Sequence, residues 1–460
     1  MKTFSPRPYQ HRAIEHLLEH PRCALWAEPG LGKTVVGLTV IDLLQALDAE
    51  PALVLGPKRV AATGWSEEAA KWKHLDHLEV QPIVGERDVR KAALRNRNAS
   101  IFTINYENLP WLIKELDGRW PFGTVIADES TRLKSFRLRQ GGARAAAIGR
   151  VAHTRVTRWI NLTGTPSTDG LTGLWGQTWF LDKGKRLGYT FSGFEQRWYR
   201  RGHGDYANLE LLPYAEQEIH GALRDICFAL KAADYLDLPP LVSNVIEVEL
   251  PPNARRLYRD MEREMFALIA GHGVEAFNAA ARTIKCLQLA NGAAYIGEPD
   301  DPARTWVEVH TAKLEALEDL IDELDGNPLL VGYQFKSDHE RLLKAFPKAA
   351  DLATDEGMAR FKAGAAPLGL GHPKSMGHGV DGLQNRCHNV AFFGHWWSTE
   401  ERLQMIERVG PTRQVQAERN KPVIVHDLVA RRTVDELVLA KHTTNRSMQD
   451  LLMAAMKEAA

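Results

Sequence analysis

The feature that most constrains this chain is Ala27-Glu28-Pro29-Gly30-Leu31-Gly32-Lys33-Thr34, which follows a short apolar run and opens a helical stretch. Two glycines one residue apart let backbone N–H groups approach an anion closely, and the helix behind them turns its positive end to the same point. Lys33 adds charge at the terminal phosphates of a nucleotide, and the Thr34 hydroxyl is placed to ligate magnesium. Such a loop needs a strand before it and a helix after it, so it dictates an α/β unit. Pro29, Gly30, Leu31, Gly32, Lys33 and Thr34 are therefore the candidate phosphate contacts.

The flanking pattern agrees. Apolar runs at Cys23–Trp26, Ala52–Leu55, Ser100–Ile104 and Thr124–Ala127 read as strands, with helices at Lys33–Leu47, Trp65–Lys73 and Val89–Arg95. That alternation predicts a parallel, doubly wound sheet. Residues 168–235, rich in aromatics such as Trp175, Trp179, Phe194 and Trp198, break the alternation and read as a helical insertion. Leu238-Pro239-Pro240 reads as a linker, because two prolines in a row cannot continue a helix. A second α/β set follows, with strands at Ser243–Glu249, Leu329–Tyr333, Val390–Phe393 and Val423–Asp427. Its helices are expected at Asn253–Ile269, Lys313–Leu324, Lys336–Ala345 and Ser398–Val409, with exposed C-terminal helices at Thr433–Lys441 and Ser447–Lys457. The expected domains are residues 1–237 and 238–460, and 460 residues are enough for two or three cores.

Hydrolysis needs acids near the phosphates. Val125-Ile126-Ala127-Asp128-Glu129 supplies them as an apolar strand ending in two carboxylates. Asp128 is expected to hold magnesium through water, and Glu129 to orient or deprotonate the attacking water. Composition narrows the class further. No run of roughly 18 apolar residues is present to cross a bilayer, and no export signal opens the chain, so a cytoplasmic location is expected. Cys23, Cys227, Cys286 and Cys387 form no Cys-x-x-Cys pair and read as buried thiols. Basic and acidic residues balance at 58 each, so any signal for nucleic acid must be local. Arg132, Lys134, Arg137, Arg139, Arg144, Arg150, Arg155 and Arg158, with no acid among them, form a stretch that can follow a phosphate backbone or serve as a basic surface helix.

An ordered series of motifs then resembles the Swi/Snf branch of superfamily 2 helicases, in the flavour encoded by bacteriophages. It runs through Arg7-Pro8-Tyr9-Gln10, the phosphate loop, Gly56-Pro57-Lys58, Asn105-Tyr106-Glu107, Asp128-Glu129 and Thr163-Gly164-Thr165-Pro166. It continues with Leu330-Val331-Gly332-Tyr333-Gln334-Phe335, the motif-V-like His372 to Gln384, and the motif-VI-like Gln404 to Gln414. Ala27 in place of the usual first glycine is a familiar variant there. The resemblance implies two tandem RecA-like domains and an ATP hydrolase acting as a DNA helicase or translocase, with ATP and Mg2+ as cofactors. It implies that Gln10 reads the adenine edge with Arg7 or Tyr9 against the base. It gives Lys58, Asn105, Tyr106, Thr163, Thr165, Gly377, Gly379 and Asp381 roles in nucleic-acid contact or coupling. Arg408 becomes the arginine finger, with Arg413 a displaced second candidate because Pro411 holds the usual position. Thr131 stands where many relatives have the histidine of the acidic motif. Expected partners are double-stranded DNA and phage replication or recombination proteins, with the chain a monomer in the host cytoplasm. An ATP-switched nucleic-acid scaffold without motor activity and an RNA helicase remain the alternatives.

Overall fold

The structure is a computed structural model that describes residues 1–47, 50–139, 141–164, 166–167, 170–201, 209–272, 276–297, 305–376 and 380–443. Contacts divide the chain into two compact units, Met1–Asp237 and Leu238–Ala460. In the first, seven strands make one sheet: β1 (Arg22–Ala27), β2 (Ala52–Gly56), β3 (Val80–Pro82), β4 (Ile101–Asn105), β5 (Thr124–Asp128), β6 (Arg158–Thr163) and β7 (Cys227–Leu230). They lie in the order β3-β4-β2-β5-β6-β1-β7, every pair parallel. Parallel pairing forces crossover connections that cover both faces, which is why β2, β4 and β5 are buried at every residue and mostly apolar.

Register decides where the chemistry lies. Trp26 of β1 pairs with Thr163 of β6, and Leu162 of β6 pairs with Asp128 of β5. The carboxyl ends of three neighbouring strands therefore come abreast, and the loops leaving them carry Glu28–Gly32, Glu129 and Gly164.

The stretch read as a helical insertion is only partly that. It contains helices Thr172–Asp182, Phe191–Trp198 and Ala215–Leu223, a short antiparallel pair Tyr199–Arg201 with Leu209–Leu211, and then β7, which returns to the sheet beside β1. The aromatics belong to the main core: Trp159 stacks on Phe180 at 4.7 Å, and Phe136 meets Trp179 at 4.3 Å. A strand of four residues, Cys-Phe-Ala-Leu, is too short to display a period of its own.

The second unit holds a six-stranded parallel sheet of β8 (Leu241–Val248), β9 (Leu329–Gly332), β10 (Ala350–Asp351), β11 (Leu368–Gly371), β12 (Asn389–Phe392) and β13 (Val423–Ala430). Their order is β8-β13-β12-β9-β11-β10. The helix Val434–Thr443, expected to be exposed, is instead anchored in the core. Val434 and Val438 are buried, and Asp435 forms a fully buried ion pair with Lys313 at 2.6 Å. Lys313 also donates to Asn291 Oδ1 at 2.8 Å and to the Phe393 carbonyl at 3.1 Å, so the charge is paired and hydrogen-bonded as burial demands. The expected helix Ser447–Lys457 lies outside the described residues. Cys23, Cys286 and Cys387 are buried free thiols, whereas Cys227 is only partly covered. Among the described residues no helix is long and apolar enough to cross a membrane.

Burial also sets a pH response. In the second unit the imidazoles of His310, His372, His388, His395, His426 and His442 are all pushed down by desolvation, His310 to about 4 and His442 to about 3. A depressed pKa contributes stability that is present above 6.5 and is lost as pH falls through the folded value. The Asp338 and Glu262 carboxyls, raised by burial, work the other way, as does Asp128 in the first unit, but these are three groups against the six imidazoles here and the lowered His16, His74 and His153 of the first unit. The thermal midpoint of the full chain is therefore expected to fall on acidification from about pH 7 to about pH 4. His310→Gln, which keeps a donor for the Leu289 carbonyl, should flatten part of that fall in a calorimetric pH series; an unchanged slope would contradict it.

Candidate active site

The phosphate loop is held open by its own backbone and by a residue from far upstream. Gly30 and Gly32 adopt φ of 85° and 84°, the left-handed region that side-chain-bearing residues avoid. At Gly32 a Cβ would also lie 2.5 Å from Gln10 Nε2. Gln10 is buried against the loop: its Oε1 accepts from the Arg7 backbone at 2.9 Å, and its Nε2 donates to the Leu31 carbonyl at 3.3 Å. Gln10 therefore braces the loop as well as lying at its edge. Arg7 is exposed beside Tyr9, whose ring is buried and meets Tyr235 at 4.9 Å.

Lys33 opens the helix Lys33–Gln45, and its Nζ donates to the Ala27 carbonyl at 2.6 Å across the loop. Thr34 stands in the first turn of that helix, partly exposed. The turn after β6 closes on the same place. A Cβ on Gly164 would lie 3.0 Å from Pro29 Cδ, 3.4 Å from the Ala27 carbonyl and 3.4 Å from Lys33 Nζ. Glycine here lets the backbone come this close without Pro29 having to give way.

Asp128 ends β5, and its Oδ2 accepts from the indole Nε1 of fully buried Trp65 at 3.0 Å. Burial pushes its carboxyl up to about 6, with the Glu129 charge adding to the rise and Trp65 and Lys33 opposing it. A divalent cation beside this carboxylate would favour its ionised form, so the donor set of Asp128 and Thr34 suits magnesium held jointly with nucleotide phosphates. Glu129 takes φ 57° and ψ 58°, a left-handed conformation in a non-glycine residue that costs of order 1–3 kcal/mol unless its surroundings hold it. Tyr106 supplies part of that hold. Its buried hydroxyl donates to the Asp128 carbonyl at 2.9 Å, with the Glu129 carbonyl 3.4 Å away.

That placement changes the reading of the nucleic-acid candidates. Tyr106 is 1% exposed and braces the acid pair from within the fold, so it offers no surface to nucleic acid. Asn105 is also buried and bonds inside its own turn, to Glu107 at 2.9 Å and Asn108 at 2.6 Å. Lys58 is exposed, while Thr163 is buried at the end of β6. Thr165, Gly377 and Gly379 lie outside the described residues. The basic stretch is not one continuous track either. Arg158 donates to the Leu17 and Leu18 carbonyls at 2.5 Å and 3.0 Å, Arg137 covers the Phe191 ring at 3.3 Å, and Arg144 pairs with Glu107 at 3.1 Å. Arg132, Arg139, Arg150 and Arg155 are exposed.

In the second unit two arginines bracket one short segment. Arg408 is 9% exposed; its Nη1 donates to the Val380 carbonyl at 2.9 Å and its Nε to the Gln404 carbonyl at 3.1 Å. Arg413 Nη1 meets Asp381 Oδ1 at 2.6 Å, and Asp381 also accepts from Gln384 Nε2 at 2.9 Å. Arg402, not singled out by the sequence, makes a buried two-pronged bond to Asp427 at 2.7 Å and 2.8 Å, which fixes the helix Thr399–Ile406 on the sheet. Trp65 was likewise not singled out by the sequence, where it only opens the expected helix Trp65–Lys73.

The chain resembles known proteins over most of its length. The SNF2-related domain matches residues 9–292. Protein p41 of Acyrthosiphon pisum secondary endosymbiont phage 1 is 50% identical over 463 residues, covering 99% of this chain and 100% of that protein. Helicase swr1 of Emericella nidulans is 26% identical over 277 residues, which is 55% of this chain and 16% of that protein. Among solved structures, the Sulfolobus solfataricus SWI2/SNF2 ATPase core in complex with dsDNA aligns with a TM-score of 0.44 at 19% identity, over 96% of this chain and 93% of that one.

Proposed function

The chain belongs to the SNF2-related family, and on that premise we propose that it is a DNA-stimulated ATPase that uses hydrolysis to move along duplex DNA. The observation that carries this reading is the convergence of Lys33, Asp128, Glu129 and Gly164 on three adjacent strand ends. A site that only held a nucleotide would need the loop. The additional acid pair at the same edge supplies what hydrolysis requires, and the Gly164 turn gives a neighbouring loop a direct view of the phosphates.

In this mechanism Lys33 leaves the Ala27 carbonyl for the terminal phosphate oxygens. Asp128 and Thr34 would hold magnesium, which would neutralise charge on the phosphates. Glu129 accepts the proton of the attacking water as the bond to the leaving diphosphate breaks. Arg408 is assigned to the γ-phosphate, stabilising charge as that bond lengthens. Closure on ATP and opening on release would then step one nucleic-acid grip past the other. Support for action on nucleic acid comes from the family and from a relative named as a helicase. Full-length likeness to a phage protein supports a role inside a phage-infected host cell.

The test is ATP turnover titrated with duplex DNA, single-stranded DNA and RNA. Duplex DNA is expected to stimulate most, with an apparent affinity that falls steeply as salt rises. Stimulation by RNA alone would overturn the DNA assignment, and turnover indifferent to every nucleic acid would overturn the motor.

A further inference from the structure

Gln177 sits mid-helix in Thr172–Asp182, among tryptophans and phenylalanines, and is 3% exposed. Its side chain joins two of the loops that meet at the nucleotide edge. Ser130, the residue after Glu129 and itself fully buried, donates its hydroxyl to Gln177 Oε1 at 3.0 Å. Gln177 Nε2 donates to the carbonyls of Pro166 at 2.9 Å and Gly173 at 3.1 Å. The amide orientation is set by this network, because a flipped amide would turn its oxygen toward two carbonyls. Both N–H groups and the oxygen are thereby engaged. The main chain at this position is pinned as well: the Gln177 carbonyl accepts from Asn161 Nδ2 at 3.0 Å, and Asn161 Oδ1 accepts from Trp159 Nε1 at 2.8 Å.

The consequence lies in what stands at each end. On one side is Glu129, held in a left-handed conformation immediately before Ser130. On the other is Pro166, two residues beyond Gly164, which itself comes close to Pro29 and Lys33. Pro166 and Ser130 are thus tied to the two ends of one amide, and Ser130 directly follows Glu129. The histidine that many Swi/Snf-like chains carry two residues after that glutamate is here Thr131.

We infer that Gln177 is a positioning residue that couples Pro166 to the Glu129 carboxylate through Ser130, so that nucleic-acid engagement near Pro166 sets the rate of hydrolysis. This rests on the DNA-stimulated ATPase reading. The test compares wild type, Gln177→Leu, Ser130→Ala and the double variant for turnover with and without duplex DNA, together with the KM for ATP and the thermal midpoint. In each single variant the ratio of stimulated to unstimulated turnover is expected to fall by about fivefold or more, the scale of coupling between sites. In Gln177→Leu the unstimulated rate and the KM for ATP stay within about twofold of wild type. The double variant falls no further than the lower single, because both break one link.

An unchanged ratio in either folded variant overturns the inference. So does an equal fall in stimulated and unstimulated rates, which marks a purely structural role. If Gln177→Leu does not fold, Ser130→Ala decides alone, since it removes one hydroxyl and leaves the Gln177–Pro166 bond in place. Wild type without any DNA stimulation would sink the motor reading first, an outcome separate from a stimulated wild type whose variants behave alike.

Discussion

Glu129→Gln is expected to lower ATP turnover by about a thousandfold while leaving ATP binding within a few-fold of wild type, the loss typical of removing a general base. Glutamine has the size and shape of glutamate, so the strained backbone at φ 57° and the Tyr106 brace beneath it are undisturbed. The amide cannot take a proton from water. On this reading Lys33, Thr34 and Asp128 would still hold the triphosphate and magnesium, so nucleotide affinity and DNA binding should persist. Steady-state turnover measured beside equilibrium nucleotide binding checks both halves. Turnover kept at a tenth or more of wild type would move the base elsewhere. A wild-type protein with no turnover to lose would favour an ATP-gated scaffold. Lys33→Ala serves as the complementary control, because it removes phosphate charge and should weaken ATP binding together with turnover.

Arg408→Ala is expected to reduce turnover by about 10³-fold or more, the low end of what an arginine finger contributes. The guanidinium is held by the carbonyls of Val380 and Gln404, so its planar fork is oriented before any ligand arrives. Arg408→Lys should restore little, because an ammonium cannot reproduce that two-sided grip. The alanine variant also removes packing, so its thermal midpoint must be read alongside its rate. Arg413 provides the comparison. Its charge is already engaged by Asp381 at 2.6 Å, and Arg413→Ala is expected to weaken turnover far less. A larger loss in Arg413→Ala than in Arg408→Ala would transfer the role to Arg413.

Much of the first unit was legible because its chemistry is written in local rules. The phosphate loop announces itself through glycines and a helix start, and β2, β4 and β5 are apolar runs bounded by polar or turn residues. Elements that escaped notice share a physical cause. β6 begins with Arg158, whose guanidinium caps the carbonyls of a neighbouring helix end; a strand led by that arginine reads as the tail of a basic stretch. β11 is Leu-Gly-Leu-Gly, and glycine suggests a turn until the side chains of Leu352 and Phe361 over Gly369 and of Met376 over Gly371 are seen to need the space. The helix from Val434 looks polar in sequence because its buried aspartate finds Lys313, a partner from a distant segment. The same holds at the site. Lys33, Asp128 and Glu129 could be named from motif and spacing. Trp65 on Asp128 and Gln177 on Ser130 depend on tertiary approach, which no local pattern encodes.

The central claim is that hydrolysis drives movement along duplex DNA, and displacement of a third strand from a triplex tests it most directly. Wild type is expected to strip a triplex-forming strand from a duplex with ATP present, and to fail with a non-hydrolysable analogue or with Glu129→Gln. Vigorous DNA-stimulated turnover that leaves the third strand in place would contradict the account.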